Sequence, residues 1–202
     1  PDVSGNEKKY LTECIDTGWI SSIGTFVHRF EEAFATFCHK SYGVSVNSGT
    51  AALHLALKAL GVQTGDEIII PALTFASTIN AVLYTGATPV IADCEENCWN
   101  IDPDQIQELI TPRTKAMIPV HLYGLPCDMQ SIAEIADRHG LFIIEDAAEA
   151  HGATYAGSPV GSFGHIACFS FYGNKIISTG EGGACVTSDP ALYERMCLLR
   201  DH

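Results

Sequence analysis

Positive charge is scarce in this chain: 11 lysines and arginines stand against 24 aspartates and glutamates, for a formal net charge of −13. A mean field of that sign repels nucleic acid and anionic membrane surfaces, so neither is an expected partner, and only a local basic pocket for a phosphate remains compatible with it. Long apolar runs are missing too; none approaches the about 18 residues of a membrane span. No basic-then-apolar leader opens the sequence, so a soluble, cytoplasmic protein is the expectation. Internal repeats, low-complexity tracts and an obvious interdomain linker are also lacking. What is present is a core: 47% of the 202 residues are hydrophobic and only 17% charged, the balance of a folded domain of some size.

The eight cysteines are scattered through the chain, unlike the framework of a short disulfide-stapled domain, and are expected as free thiols. Cys94 and Cys98 form the one close pair, but no second pair follows at zinc-site spacing, and Glu95, Glu96 and Asn97 between them read as a solvated turn. No metal site is expected. The nucleotide-hydrolase signature GxxxxGK[ST] and the glycine-rich turn of dinucleotide-binding folds are both missing, which argues against those classes.

Short β-branched runs recur along the chain: GVSVN (43–47), EIII (67–70), TPVIAD (88–93), KAMIPV (115–120) and LFIIED (141–146). Between them TAALHLALKALG, ASTINAVLYTG, PDQIQELI and DMQSIAEIADRHG carry apolar residues at helical spacing, with Gly at their ends or Asp and Pro at their starts. This alternation predicts an α/β fold, a mostly parallel sheet with helices on both faces. Only eleven residues separate IACFSF (166–171) from GACVTS (183–188), too few for a parallel crossover, so these two strands are expected to be antiparallel neighbours joined by a loop, YGNKIISTGEG. Residues 1–40 read as a helical segment whose two amphipathic stretches pack on the sheet or on another subunit.

Three places carry chemistry. Ser48-Gly49-Thr50 follows the first strand and opens a helix, where backbone N–H groups attract anions; the plainer reading is a helix cap. Glu145-Asp146 ends a buried strand at the edge where open α/β sheets bind ligands, and Asp146 there suits a protonated heterocyclic nitrogen, or else caps the next turn. Lys175 lies in the glycine-rich loop, flanked by apolar strands, in a half of the chain where lysine is scarce; a lysine placed out of water serves as a Schiff-base nucleophile, whereas an ordinary loop lysine is a solvated charge. Trp19 and His54 are expected to pack in a core or an interface, and His121 and His151, near strand ends, remain unassigned.

The segments SVNSGTAALHLALKALG, GDEIIIPALTFASTINAVLYTGATPV, VHLYGLPCDM, IIEDAAEAHGA and FSFYGNKIISTGEGG, in that order, closely resemble the DegT/DnrJ/EryC1/StrS family of nucleotide-sugar aminotransferases, from about Gly5 to His202. The resemblance implies the large domain of a fold-type I transferase dependent on pyridoxal 5′-phosphate (PLP), with one antiparallel strand in the sheet, spanning 41–202. It implies Lys175 as the Schiff-base lysine and proton carrier, Asp146 as partner of the ring nitrogen, Gly49, Thr50 and Ser170 as phosphate binders, Phe75 stacked on the ring and Glu149 near the ring hydroxyl. It further implies a homodimer that takes an amino group from glutamate to a nucleotide-linked keto-deoxy sugar for polysaccharide biosynthesis. GNK followed by TGEGG is most similar to the perosamine-synthase-like branch, which aminates C4. Related dehydratases carry histidine where Lys175 stands, so the lysine favours transamination.

Family members are about twice as long and continue into a smaller C-terminal domain, so that domain is expected to be missing from this chain. Two alternatives stay open on the sequence: another fold-type I PLP enzyme, such as a lyase or desulfurase, and a truncated noncatalytic PLP-binding module.

Overall fold

The computed structural model describes residues 4–201; Pro1 to Val3 of the expected N-terminal segment and His202 of the expected large domain lie outside the described residues. Seven strands form one sheet: β1 (Tyr42–Val46), β2 (Glu67–Pro71), β3 (Thr88–Ala92), β4 (Thr114–Met117), β5 (Phe142–Asp146), β8 (Ile166–Ser170) and β9 (Gly183–Thr187). Their order is β1-β9-β8-β5-β4-β2-β3. Neighbours pair in parallel except β9, which runs antiparallel to both β1 and β8. The short hairpin β6 (Thr154–Tyr155) and β7 (Ser158–Pro159) makes a separate two-stranded ribbon. Its turn residues Ala156 and Gly157 both have positive φ, 48° and 84°, as the tight turn of a two-residue hairpin requires.

Helices α1 (Glu7–Thr17), α2 (Thr25–Phe37), α3 (Gly49–Ala59), α4 (Ala76–Tyr84), α5 (Pro103–Leu109), α6 (Met129–His139) and α7 (Pro190–Asp201) complete the chain. Local chemistry sets their ends. The Ser48 hydroxyl accepts from Ala51 N, Asp102 from Asp104 N with Pro103 in the first turn, and Asp128 from Ser131 N. Gly140, at φ 64°, closes α6 in the left-handed conformation.

The inner strands β2, β8 and β9 are buried throughout, as strands under helices must be, while the edge strand β3 leaves Ile91 exposed. All of β2 is buried, and its successive isoleucines divide between two cores: Ile68 and Ile70 pack with α3, α4 and α7, Ile69 with α5 and α6. A third cluster sets Phe34 and Ala35 of α2 against Ala167, Phe169, Phe171, Ala184 and Val186. The two N-terminal stretches therefore part company. Helix α2 is built into the core, while α1 buries none of its residues and leaves Leu11 and Ile15 exposed. Trp19 is more than half exposed, so it is not a core residue, and His54 meets the Tyr84 ring edge-on at 5.8 Å. Among the described residues no helix is long and apolar enough to cross a membrane, and no group of three or more His, Cys, Asp or Glu could hold a metal ion.

Candidate active site

The parallel strands end on one edge of the sheet, and the turns that leave this edge carry the seven residues singled out in the sequence. Behind β1, Ser48 spends its hydroxyl on capping α3, and Gly49 and Thr50 lie in the first helical turn, where N–H groups have no intrahelical acceptor. Gly49 faces Ser170 at the end of β8 so closely that a β-carbon on it would lie 2.8 Å from Ser170 Cβ. Only glycine permits this approach of helix start to strand end. Gly183 does the same one strand over, since a β-carbon there would come within 2.3 Å of the Ser48 carbonyl oxygen.

Behind β2 the chain enters α4 with Phe75 at its N-cap position, 75% exposed, which excludes core packing for that ring. The next two polar residues of α4 were not singled out from the sequence. Ser77 Oγ lies 2.7 Å from Thr50 Oγ1, and the fully buried Thr78 donates its hydroxyl to Asp146 Oδ2 at 2.8 Å. Their signal in the sequence is faint, two small hydroxyl residues in the apolar helical pattern of ASTINAVLY.

At the end of β5 two acids that look equivalent in the sequence separate. Glu145 and Asp146 are neighbours in a strand and point to opposite faces. The Glu145 side chain turns away from the strand-end site and is completely buried, accepting from Gly161 N (2.8 Å), Phe163 N (2.8 Å), Gly164 N (2.6 Å) and His121 Nε2 (3.1 Å). Cys127 N donates to His121 Nδ1 at 3.1 Å, so the ring proton is on Nε2 and goes to Glu145. Burial works against this carboxylate's charge, but the His121 ring and the backbone N–H groups outweigh it and hold Glu145 below the ordinary carboxyl range. Glu145 is thus an internal anchor for the 161–164 turn, and of the two acids it is Asp146 that meets the Thr78 hydroxyl at the start of α4. Burial pushes Asp146 up, opposed by the Thr78 hydroxyl, the Ala148 N–H at 3.3 Å and the positive charge of Lys175.

Lys175 stands in the loop between β8 and β9, in the same neighbourhood as Asp146. Its Nζ donates to Glu149 Oε1 at 3.1 Å, and Glu149 Oε2 accepts from Tyr123 N at 3.1 Å, which ties the lysine to two loops at once. Gly180, at φ 84°, lets this loop turn back on to Tyr172. Underneath, His151 is wedged among Phe34, Phe169 and Phe171 with neither ring nitrogen in a hydrogen bond among the described residues. Burial and the nearby Lys175 push its pKa down to about 4, against a weak opposing pull from the Ser170 backbone, so the ring is neutral at pH 7. A separate open concavity of about 990 Å³, bounded by Val27, Asn47, His54, Lys58 and Arg200, contains none of the seven residues.

Lysine, acid, helix start and exposed ring thus come from four places along one sheet edge, the ends of β1, β2, β5 and β8. The model of the DegT/DnrJ/EryC1/StrS aminotransferase family matches residues 1–202. The chain belongs to this family. GDP-perosamine synthase of Caulobacter vibrioides is 54% identical to it over 200 residues, 99% of this chain and 54% of the synthase. The dTDP-3-amino-3,4,6-trideoxy-alpha-D-glucose transaminase of Streptomyces venezuelae is 49% identical over 89% of this chain and 48% of its own length. The crystal structure of NtdA from Bacillus subtilis with bound cofactor PMP superimposes with a TM-score of 0.88 at 40% identity, covering 94% of this chain and 42% of that one. The chain therefore spans about half the length of the curated relatives it matches.

Proposed function

We propose that residues 41–202 form the PLP-binding large domain of a sugar aminotransferase, preceded by the helical segment 1–40, and that the protein moves an amino group from glutamate to C4 of a nucleotide-linked keto-deoxy sugar. The observation that carries this is the placing of Lys175, held by Glu149 at 3.1 Å, near enough to the buried Asp146 for its charge to act on that carboxylate, in a chain of this family. The two ends of the site suit the cofactor's two ends. A helix start pressed against Ser170 seeks an anion, and a carboxylate that burial pushes up and that has no cation among its hydrogen-bond donors in the described residues suits one.

When bound, PLP supplies an aldehyde that takes up amines and a ring that draws electrons from the bonds around the attached carbon. Gly49, Thr50 and Ser170 would hold its phosphate, Phe75 would cover the ring and Glu149 would serve the ring hydroxyl. Asp146 would keep the ring nitrogen protonated. Lys175 Nζ would be the amine that holds the aldehyde and, when free of it, the base that carries a proton to and from the substrate carbon. The Glu149 carboxylate, itself fixed by Tyr123 N, orients that amine between the two tasks. As in the resemblance drawn from the motifs, the working unit is a homodimer. The 54% identity to a GDP-perosamine synthase supports C4 as the position aminated.

The test uses the protein expressed over its whole reading frame. Added PLP should give a visible absorbance band that borohydride fixes to the protein, and Lys175→Ala should abolish the fixation. Glutamate should then convert the cofactor to pyridoxamine phosphate, and a nucleotide-linked 4-keto-6-deoxyhexose should convert it back, with the new C–N bond located by NMR. Amination at C3 would overturn the regiochemistry, an elimination product would point to a lyase, and binding without conversion would leave a noncatalytic module.

A further inference from the structure

We propose that Thr78 is a positioning residue for Asp146, holding that carboxylate ionised and oriented toward the cofactor ring; this rests on the reading of Asp146 as the partner of the ring nitrogen. Consecutive residues of a helix point about 100° apart, so the first turn of α4 can send Ser77 across to Thr50 on α3 and Thr78 inward to the end of β5. Thr78 is fully buried, and its hydroxyl lies 2.8 Å from Asp146 Oδ2 and 2.8 Å from Thr74 Oγ1. The polarity of this chain is set at its inner end. An ionised carboxylate can only accept, so Thr78 donates to Asp146, and the remaining lone pair of Thr78 takes the Thr74 proton. The arrangement is Thr74 to Thr78 to Asp146, with every proton pointing at the carboxylate.

Asp146 has little else to keep it charged. Its other oxygen accepts from Ala148 N at a long 3.3 Å. The titratable groups that face it are Lys175 from the β8–β9 loop, His121 beyond β4 and Cys168 on β8. Lys175 is committed to Glu149, and His121 to Glu145 and Cys127. The Cys168 thiol is neutral, since its own burial pushes it well above the ordinary value. The Thr78 hydroxyl thus gives the carboxylate its shortest hydrogen bond among the described residues. Without it, burial carries Asp146 toward the acid form, and a protonated acid cannot keep a ring nitrogen cationic. A merely structural threonine would affect stability and leave the ring nitrogen alone.

The experiment compares wild type, Thr78→Ser, Thr78→Val and Thr78→Ala, over the whole reading frame, each loaded with PLP labelled with nitrogen-15 in the ring. The labelled nitrogen reports its proton directly through its chemical shift, and steady-state kinetics with glutamate give kcat and KM. Wild type and Thr78→Ser should show the protonated ring. The valine and alanine variants should shift toward the unprotonated one, with kcat about ten- to a hundredfold lower, the range for one hydrogen bond to a charged group, and little change in KM. Alanine serves where valine fails to fold. A ring that stays protonated in folded valine or alanine protein, with kcat within about twofold of wild type, overturns the proposal, and so does a serine variant that behaves like valine. Absence of the ring proton in wild type itself would instead remove the reading of Asp146 on which the proposal rests.

Discussion

Replacing Glu145 by glutamine keeps the shape of the side chain and removes its charge at the driest point of β5. The carboxylate is fully buried and serves four donors, with Oε1 taking Phe163 N and Gly164 N, and Oε2 taking Gly161 N and His121 Nε2. Glutamine presents one oxygen and one NH2 group, so whichever way the amide turns, two donors face a donor. His121 cannot repair this by moving its proton, because Cys127 N already points at Nδ1. Two unpaired buried donors at about 1–3 kcal/mol each give a loss of about 2–6 kcal/mol. For a chain of this length that is a fall in Tm of roughly 5–20 °C. The assay is thermal and urea unfolding of wild type and Glu145→Gln across a pH series. Glu145 in the fold is held below its ordinary value of 4.5, so its contribution is complete above that pH and is lost as the pH falls through the depressed folded value. The wild type should lose this part of its stability in that acid range, and the glutamine variant should lack that component. A variant within about 1 kcal/mol of wild type at neutral pH would refute the reasoning, since even one orphaned donor costs that much.

Gly49→Ala separates binding from folding: alanine favours the helix, but its β-carbon lands 2.8 Å from Ser170 Cβ, against an ordinary carbon contact of about 3.5–4.0 Å. PLP affinity should fall by about tenfold or more while Tm moves little, and an affinity within about twofold would show that the two walls part freely. His151→Phe should alter the pH dependence of stability. The buried ring titrates near 4 in the fold against 6.5 in the open chain, so it contributes fully above pH 6.5 and loses about 3 kcal/mol as the pH falls to about 4. The phenylalanine variant should be flatter over that range in urea unfolding, and an unchanged slope would mean that His151 is not the group responsible.

Much of the fold was legible because its signals are local. Apolar runs bounded by caps, such as Asp102 before Pro103 at the start of α5 and Asp128 before α6, mark their elements without reference to the rest of the chain. The eleven-residue spacing before GACVTS was enough to reverse β9, since so short a connection cannot cross over a sheet. The glycine-rich loop with Lys175 and the acids ending β5 could likewise be found in one dimension, and the order of the motifs carried the family.

The amino-acid sequence by itself thus determined the alternation of strands and helices, the reversed strand and the residue types at the sheet edge. Tertiary structure alone decided which of them face one another. The anchoring role of Glu145 stayed hidden because β5 is buried on both faces, so the two-residue alternation that separates inside from outside in a half-exposed strand has no polarity to report. Ser77 and Thr78 stayed hidden for a related reason. Their partners, Thr50 and Asp146, lie 27 and 68 residues away, and a hydroxyl in an apolar helix shows its purpose only when the packing of α4 on α3 and the sheet brings an acceptor to it.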